Sequence, residues 1–225
     1  MSDGQPSAGE VAERLHVAKI ADEFFTGFDT VAGIAHPAVT IFGSARVPPG
    51  HPRYEAAVEI GRRFAHEGFA VITGGGPGLM EAVNRGAQEG KGVSVGFNIE
   101  LPHEQRPNDY LDVSLTFRHF YVRKTMFVKA ADGFVILPGG FGTLDELFEA
   151  LTLMQTDKVQ DFPVVLFDSR YWHGLREWLR ACVLHEGMVS ERDLELLTVC
   201  DEPEEVVRIL VDSYRQRPAG HTLSG

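Results

Sequence analysis

The chain has 225 residues, 44% of them hydrophobic and 24% charged, enough to bury one substantial core without disulfides or metals. A net charge of −11 excludes nonspecific nucleic-acid binding, which needs a basic footprint, but leaves room for a small anion held by a local cluster of donors. No apolar run reaches membrane-spanning length, and the polar, acidic start "MSDGQPSAGE" lacks the form of a signal peptide, so a cytoplasmic protein that binds no membrane is expected.

Residues 1–10, rich in Ser, Gly and Pro, read as a disordered tail. Val11, Leu15, Ala18, Phe25 and Phe28 recur at helical spacing and predict an amphipathic helix over 11–28, within a helical extension at 11–37. A single domain over 38–215 follows, and 216–225 is a C-terminal tail. Strands are expected at 38–45, 69–75, 92–99, 113–117, 133–139, 162–168 and 194–201. Helices are expected at 53–68, 79–90, 119–131, from about 143, through 172–184 and at 203–214. Short apolar strands alternating with helices indicate an α/β fold: a Rossmann-like, doubly wound parallel sheet with helices on both faces. Cys182 and Cys200, with no CxxC, read as two reduced, buried thiols.

Three strands run into glycine at the edge where such a sheet binds ligands: at Gly43, at Gly74–Gly76 and at Gly139–Gly140. Tight turns need glycine anyway, but "TGGGPG" and "PGGFG" hold more of it than a turn requires. Leu79 and Asp145 stand where GxGxxG would place its last glycine, and no GK[ST] occurs, so the dinucleotide and triphosphate fingerprints are both absent. What remains is backbone N–H groups at a helix N-terminus, suited to a monophosphate. Thr143 and Glu146 also spell a capping box, in which Glu146 would fold back onto its own helix. The alternative follows from helical spacing. Leu144, Leu147, Phe148 and Leu151 form the core stripe, and Glu146 points off it toward the ligand space, ionised by the helix dipole. Cations come from Arg123 and Lys124, with Lys124 on the face shared by Phe120, Phe127 and Ala131.

At these residues the sequence resembles the Lonely Guy family, the cytokinin riboside 5′-monophosphate phosphoribohydrolases. The pattern PGGxGTxxE is met in full by Pro138 to Glu146, the Arg-Lys pair by Arg123-Lys124, and "FGSAR" and "GGGPGLMEA" look like the family's first two nucleotide-facing loops. The likeness covers about Val39 to Tyr214. It implies hydrolysis of the N-glycosidic bond of N6-modified adenosine 5′-monophosphates, with a broader AMP or GMP nucleosidase as the alternative. A second alternative is a non-catalytic carrier of a phosphorylated cofactor such as the molybdenum cofactor. By position, Arg123 and Glu146 would be the catalytic pair, and Gly139, Gly140, Gly142 and Thr143 would hold the phosphate. Gly43, Ser44, Gly75, Gly76, Glu81 and Lys124 would bind the rest of the nucleotide. Many members carry a histidine where Tyr121 stands, which touches base selectivity more than chemistry. Some members are called possible lysine decarboxylases, but no pyridoxal-phosphate context surrounds any lysine here. The resemblance also implies a homodimer and no cofactor. None of the nine histidines falls in a spacing such as HExxH, so no metal is expected. His119, Asp145 and Asp168 are open candidates for the acid that protonates the leaving base.

Overall fold

The computed structural model describes residues 7–34, 37–101, 106–156, 158–159 and 162–217. Most of the expected N-terminal tail, nearly all of the C-terminal tail and part of the proline-containing loop after residue 99 lie outside them.

In chain order the elements are α1 (Ala8–Ala32), β1 (Ala38–Phe42), α2 (Pro52–His66), β2 (Ala70–Thr73), α3 (Leu79–Glu89), β3 (Ser94–Ile99), β4 (Val113–Phe117) and α4 (Phe120–Ala130). There follow β5 (Phe134–Ile136), α5 (Phe141–Gln155), β6 (Val164–Phe167), α6 (Ser169–Trp178), a π-helical turn Leu179–Leu184, α7 (Glu191–Glu195), β7 (Leu197–Cys200) and α8 (Pro203–Gln216). Every strand pair is parallel, in the order β4-β3-β2-β1-β5-β6-β7. The expected doubly wound architecture is therefore present. The chain starts at the centre, winds out to β4, and returns to lay β5 beside β1. That reversal makes the carboxyl ends of β1 and β5 the switch point at which such sheets open a crevice.

Both faces of the central strands are covered, so β1, β2, β5 and β6 are buried at every position, while the edge strands β4 and β7 alternate buried or half-buried with exposed residues. One core joins the sheet to α2, α3 and α8 through Tyr54, Phe64, Val83 and Val206. The other joins it to α1, α4, α5 and α6 through Phe97, Phe127, Leu147 and Trp172.

Several boundaries differ from the sequence expectation. Helix α1 starts at Ala8, inside the expected tail, because Ser7 and Glu10 form a reciprocal capping box. Its expected core stripe is the outward one: Leu15 is 58% and Phe25 71% exposed. The helix carries a second apolar face, and Ile20, Phe24 and Val31 pack on the core instead. The expected strand at 194–201 begins as helix α7, for Ser190 and Asp193 form another capping box and only Leu197–Cys200 extends. Cys200 is buried, but Cys182, on the π-helical turn, is exposed.

Candidate active site

A cavity of about 910 Å³ opens at the switch point. Its floor is built where β1 and β5 end. Gly43 and Ser44 leave β1 early instead of continuing it, and the Ser44 N–H donates to the Pro138 carbonyl at 3.0 Å, tying the two loops together. Gly139, Gly140, Gly142 and Thr143 line the same space, with Gly74 and Gly76 from the loop after β2. Arg123 and Glu146 also line it, so nine of the twelve candidate residues share one cavity: Gly43, Ser44, Gly76, Arg123, Gly139, Gly140, Gly142, Thr143 and Glu146.

The other three stand behind the wall. Gly75 takes a left-handed φ of 69°, with its N–H bonded to Thr73 Oγ1 at 2.9 Å and its carbonyl accepting from the Asn108 N–H at 2.9 Å. A side chain there would also run into Asn98, so this glycine shapes the loop. Glu81 accepts a 2.8 Å hydrogen bond from the Tyr54 hydroxyl, which burial and this carboxylate push up to about 12. Lys124 is held 3.0 Å from Asp145 and 3.2 Å from Glu149 on α5.

Helix α5 decides between the two sequence readings of Glu146. The helix begins at Phe141, two residues before the expected start, with Gly140 as its cap and no side-chain cap bond. Thr143 therefore sits within the first turn, and the capping box spelled by Thr143 and Glu146 does not form. Two consequences follow. The first-turn N–H groups are left for a ligand. Glu146 is only 8% exposed, and its Oε2 has no hydrogen-bond partner among the described residues. Of the expected core stripe Leu147 is buried as placed, but Phe148 is 38% exposed, and Ala150 is buried in its stead.

The electrostatics differ from expectation as well. Burial raises the Glu146 carboxyl to about 7, opposed first by the charge of Lys124 and then by that of Arg123, with Glu149 and Asp145 pushing the other way. The helix dipole does not keep it ionised at neutral pH. Arg123 is itself lowered to about 10 by burial, against the pull of Glu146, and remains a cation. Its Nε donates to the Phe97 carbonyl at 2.8 Å and its guanidinium lies 5.0 Å from the Phe127 ring centre. Gly74 supplies the room, since a Cβ there would meet an Arg123 nitrogen at 2.5 Å.

On α4, Phe120 is 54% exposed and Phe127 fully buried, although they lie seven residues apart. The helix starts beyond the sheet edge, so Phe120 overhangs the cavity, where spacing alone had placed it with Phe127. Tyr121 is half-exposed beside His119 and outside the cavity lining, so its replacement of the family histidine leaves the wall unchanged. Of the acid candidates, His119 Nδ1 lies 3.1 Å from Glu23 on α1. Asp168 caps α6 and pairs with Arg53, and Asp145 lines the cavity beside Lys124. Sequence reading missed Asn98, Arg53 and Tyr171 in the lining. Asn98 was findable as a polar residue closing an apolar strand, and the other two lie on helices that begin at the ligand-binding edge.

Comparison with known proteins places these residues in context. A family model described as possible lysine decarboxylase matches residues 80–210. A cytokinin riboside 5′-monophosphate phosphoribohydrolase of Mycobacterium tuberculosis is 33% identical over 71% of this chain and 86% of its own. One from Arabidopsis thaliana is 28% identical over 69% of this chain and 73% of its own. Among solved structures, a molybdenum cofactor binding protein from Rippkaea orientalis superposes with a TM-score of 0.57 at 22% identity, covering 80% of this chain and 98% of that one. That likeness is one of fold.

Proposed function

The chain belongs to the Lonely Guy family, and we propose that it is a phosphoribohydrolase, hydrolysing the N-glycosidic bond of N6-modified adenosine 5′-monophosphates to free base and ribose 5-phosphate. The observation that carries this reading is Glu146. A carboxylate with an unpartnered oxygen, buried beside an uncapped glycine-rich helix N-terminus, has little to do for stability and much to do for a sugar docked by its phosphate.

The 5′-phosphate would sit on the N–H groups of Gly140–Thr143, where the helix dipole favours a dianion. Held there, the nucleotide presents its anomeric carbon to Glu146, and binding energy from the phosphate becomes positioning. Breaking the ribosyl–nitrogen bond builds positive charge on the sugar, as in glycoside hydrolysis. Ionised Glu146 stabilises that cation and orients the attacking water. Burial leaves the Glu146 carboxyl near 7, and the charges of Lys124 and then Arg123 draw it toward the ionised form. The base would lie toward β3, three strand spacings or roughly 14 Å from β5. There Met80, Ile99, Leu101 and Phe120 line the cavity with apolar surface, suited to an alkyl group on N6. We place the active form as a homodimer, with the exposed Leu15 and Phe25 face of α1 as a contact.

Incubation with isopentenyladenosine monophosphate, read by chromatography, should release free base, and Glu146→Gln should abolish the release. No release by folded protein removes the reading. Preference for unmodified AMP or GMP would make the enzyme a broader nucleosidase, and tight binding of a phosphorylated cofactor without turnover of any nucleotide would make it a carrier.

A further inference from the structure

Three arginines line the cavity: Arg46, Arg53 and Arg123. A phosphate dianion in a protein of net charge −11 calls for a cation close at hand, and the charges on α4 are committed elsewhere. Arg123 gives its Nε to the Phe97 carbonyl and packs on the Phe127 ring, and Lys124 is shared by two carboxylates. Arg46 is exposed at the rim. Arg53, in the first turn of α2, is different because the protein holds it from behind. Its Nε donates to Asp168 Oδ2 at 2.7 Å, and its guanidinium lies 5.2 Å from the centre of the Tyr171 ring. Among the described residues no hydrogen bond or ion pair uses its Nη groups, which are the pair that can grip an anion from two sides.

The parts that hold Arg53 also hold the glycine loop. The Tyr171 hydroxyl donates to the Gly139 carbonyl at 2.6 Å, and the Tyr171 N–H donates to Asp168 Oδ1 at 3.0 Å. Asp168 adopts a left-handed φ of 79°, a conformation a non-glycine residue takes only when its surroundings impose it. Loop, tyrosine, aspartate and arginine thus form one closed chain of contacts, which fixes the distance between the Arg53 fork and the amides of α5.

We propose that Arg53 is the second half of the phosphate cradle, gripping through its Nη groups the monoester that the α5 amides hold from the other side, with Asp168 and Tyr171 as its positioning residues. The inference rests on the phosphoribohydrolase reading and names the residue that makes that site select phosphorylated over unphosphorylated nucleosides.

The test is calorimetric titration with AMP, ribose 5-phosphate and adenosine, in a Glu146→Gln background so that nothing is consumed. Arg53→Gln should weaken AMP and ribose 5-phosphate by roughly 30–100-fold and leave adenosine unchanged. Arg53→Lys, which keeps the charge without the fork, should recover part of the loss. Asp168→Asn, which keeps the cap acceptor of α6 but releases the Arg53 charge pair, should weaken the two phosphates and spare adenosine. Melting curves matching the parent show that each variant is folded. AMP affinity unchanged by Arg53→Gln, or adenosine weakened as much as AMP, overturns the role of Arg53 alone. A folded parent that binds neither AMP nor ribose 5-phosphate overturns the active-site reading and this inference with it.

Discussion

Glu146→Gln should remove catalysis and at the same time make the protein less sensitive to alkaline pH. The folded carboxyl binds its proton more tightly than the unfolded one: burial lifts it from 4.5 to about 7. Between those values the native protein keeps a proton that the unfolded chain has released. Stability is therefore complete below about 4.5 and falls as pH rises through 7. At pH 8 the burial of an ionised carboxylate costs on the order of 3 kcal/mol. Glutamine has nearly the same shape and cannot ionise, so it escapes this loss, although a buried amide lacking a full set of partners carries its own pH-independent penalty of about 1–3 kcal/mol. The diagnostic quantity is thus a difference of differences. Thermal melts of both proteins at pH 5 and pH 8 should show the variant gaining on the wild type by about 6–12 °C over that interval, taking 2–4 °C per kcal/mol for a chain of this size. Other titrating groups are common to both proteins and cancel. A melting-temperature difference equal at the two pH values would mean that Glu146 is not a strained buried acid, and the argument for its role would fail.

On the proposed mechanism the working form of Glu146 is the carboxylate, so kcat/KM should climb with pH and level off above about 7, and a falling profile over that range would show that the protonated form works. Lys124→Met removes the cation that opposes the upward shift most strongly, so the climb should move to higher pH in the same assay. Gly139→Ala should cut turnover at least 10²-fold, since an added Cβ collides with Thr143 and displaces the amides ahead of α5; wild-type kcat/KM would refute the placement of that loop. Wild-type protein should scatter light as the proposed dimer, and Leu15→Glu with Phe25→Glu should bring it to monomer with an unchanged circular dichroism spectrum; a monomeric wild type refutes the dimer, and an unaltered mass of two chains in the variant puts the contact elsewhere.

The sheet was legible because its central strands are short, mainly apolar runs closed by glycine, proline or a charge, and such runs occur where both faces are covered; the edge strands β4 and β7 alternate instead. Element ends were less legible, and the errors share a cause. A residue three positions on decides whether a serine starts a helix, as Glu10 does for Ser7 and Asp193 for Ser190, and that local pairing overrode the extended pattern read at 194–196. At α1 the periodicity was real but ambiguous. The helix has two apolar faces, and spacing gives no means of telling which one meets its own sheet.

The candidate site shows the converse. Thr143 and Glu146 have the spacing of a capping box, yet α5 starts two residues earlier, at Phe141 behind a glycine cap that offers no side chain. That shift carries the chemistry. Had Thr143 been the cap, Glu146 would have bonded to its own backbone and the first-turn amides would have been occupied in part. Starting at Phe141 leaves the first-turn amides and Glu146 Oε2 without hydrogen-bond partners among the described residues. Groups left unmatched at the mouth of the switch point cost stability there, and the ligand we propose, an anion within reach of a carbon that can bear positive charge, would complement both of them. Residues far apart in sequence supply the rest: burial and the charge of Lys124, with Arg123 behind it, set the charge state of Glu146, and Arg53, held by Asp168 and Tyr171, stands where no motif would mark it.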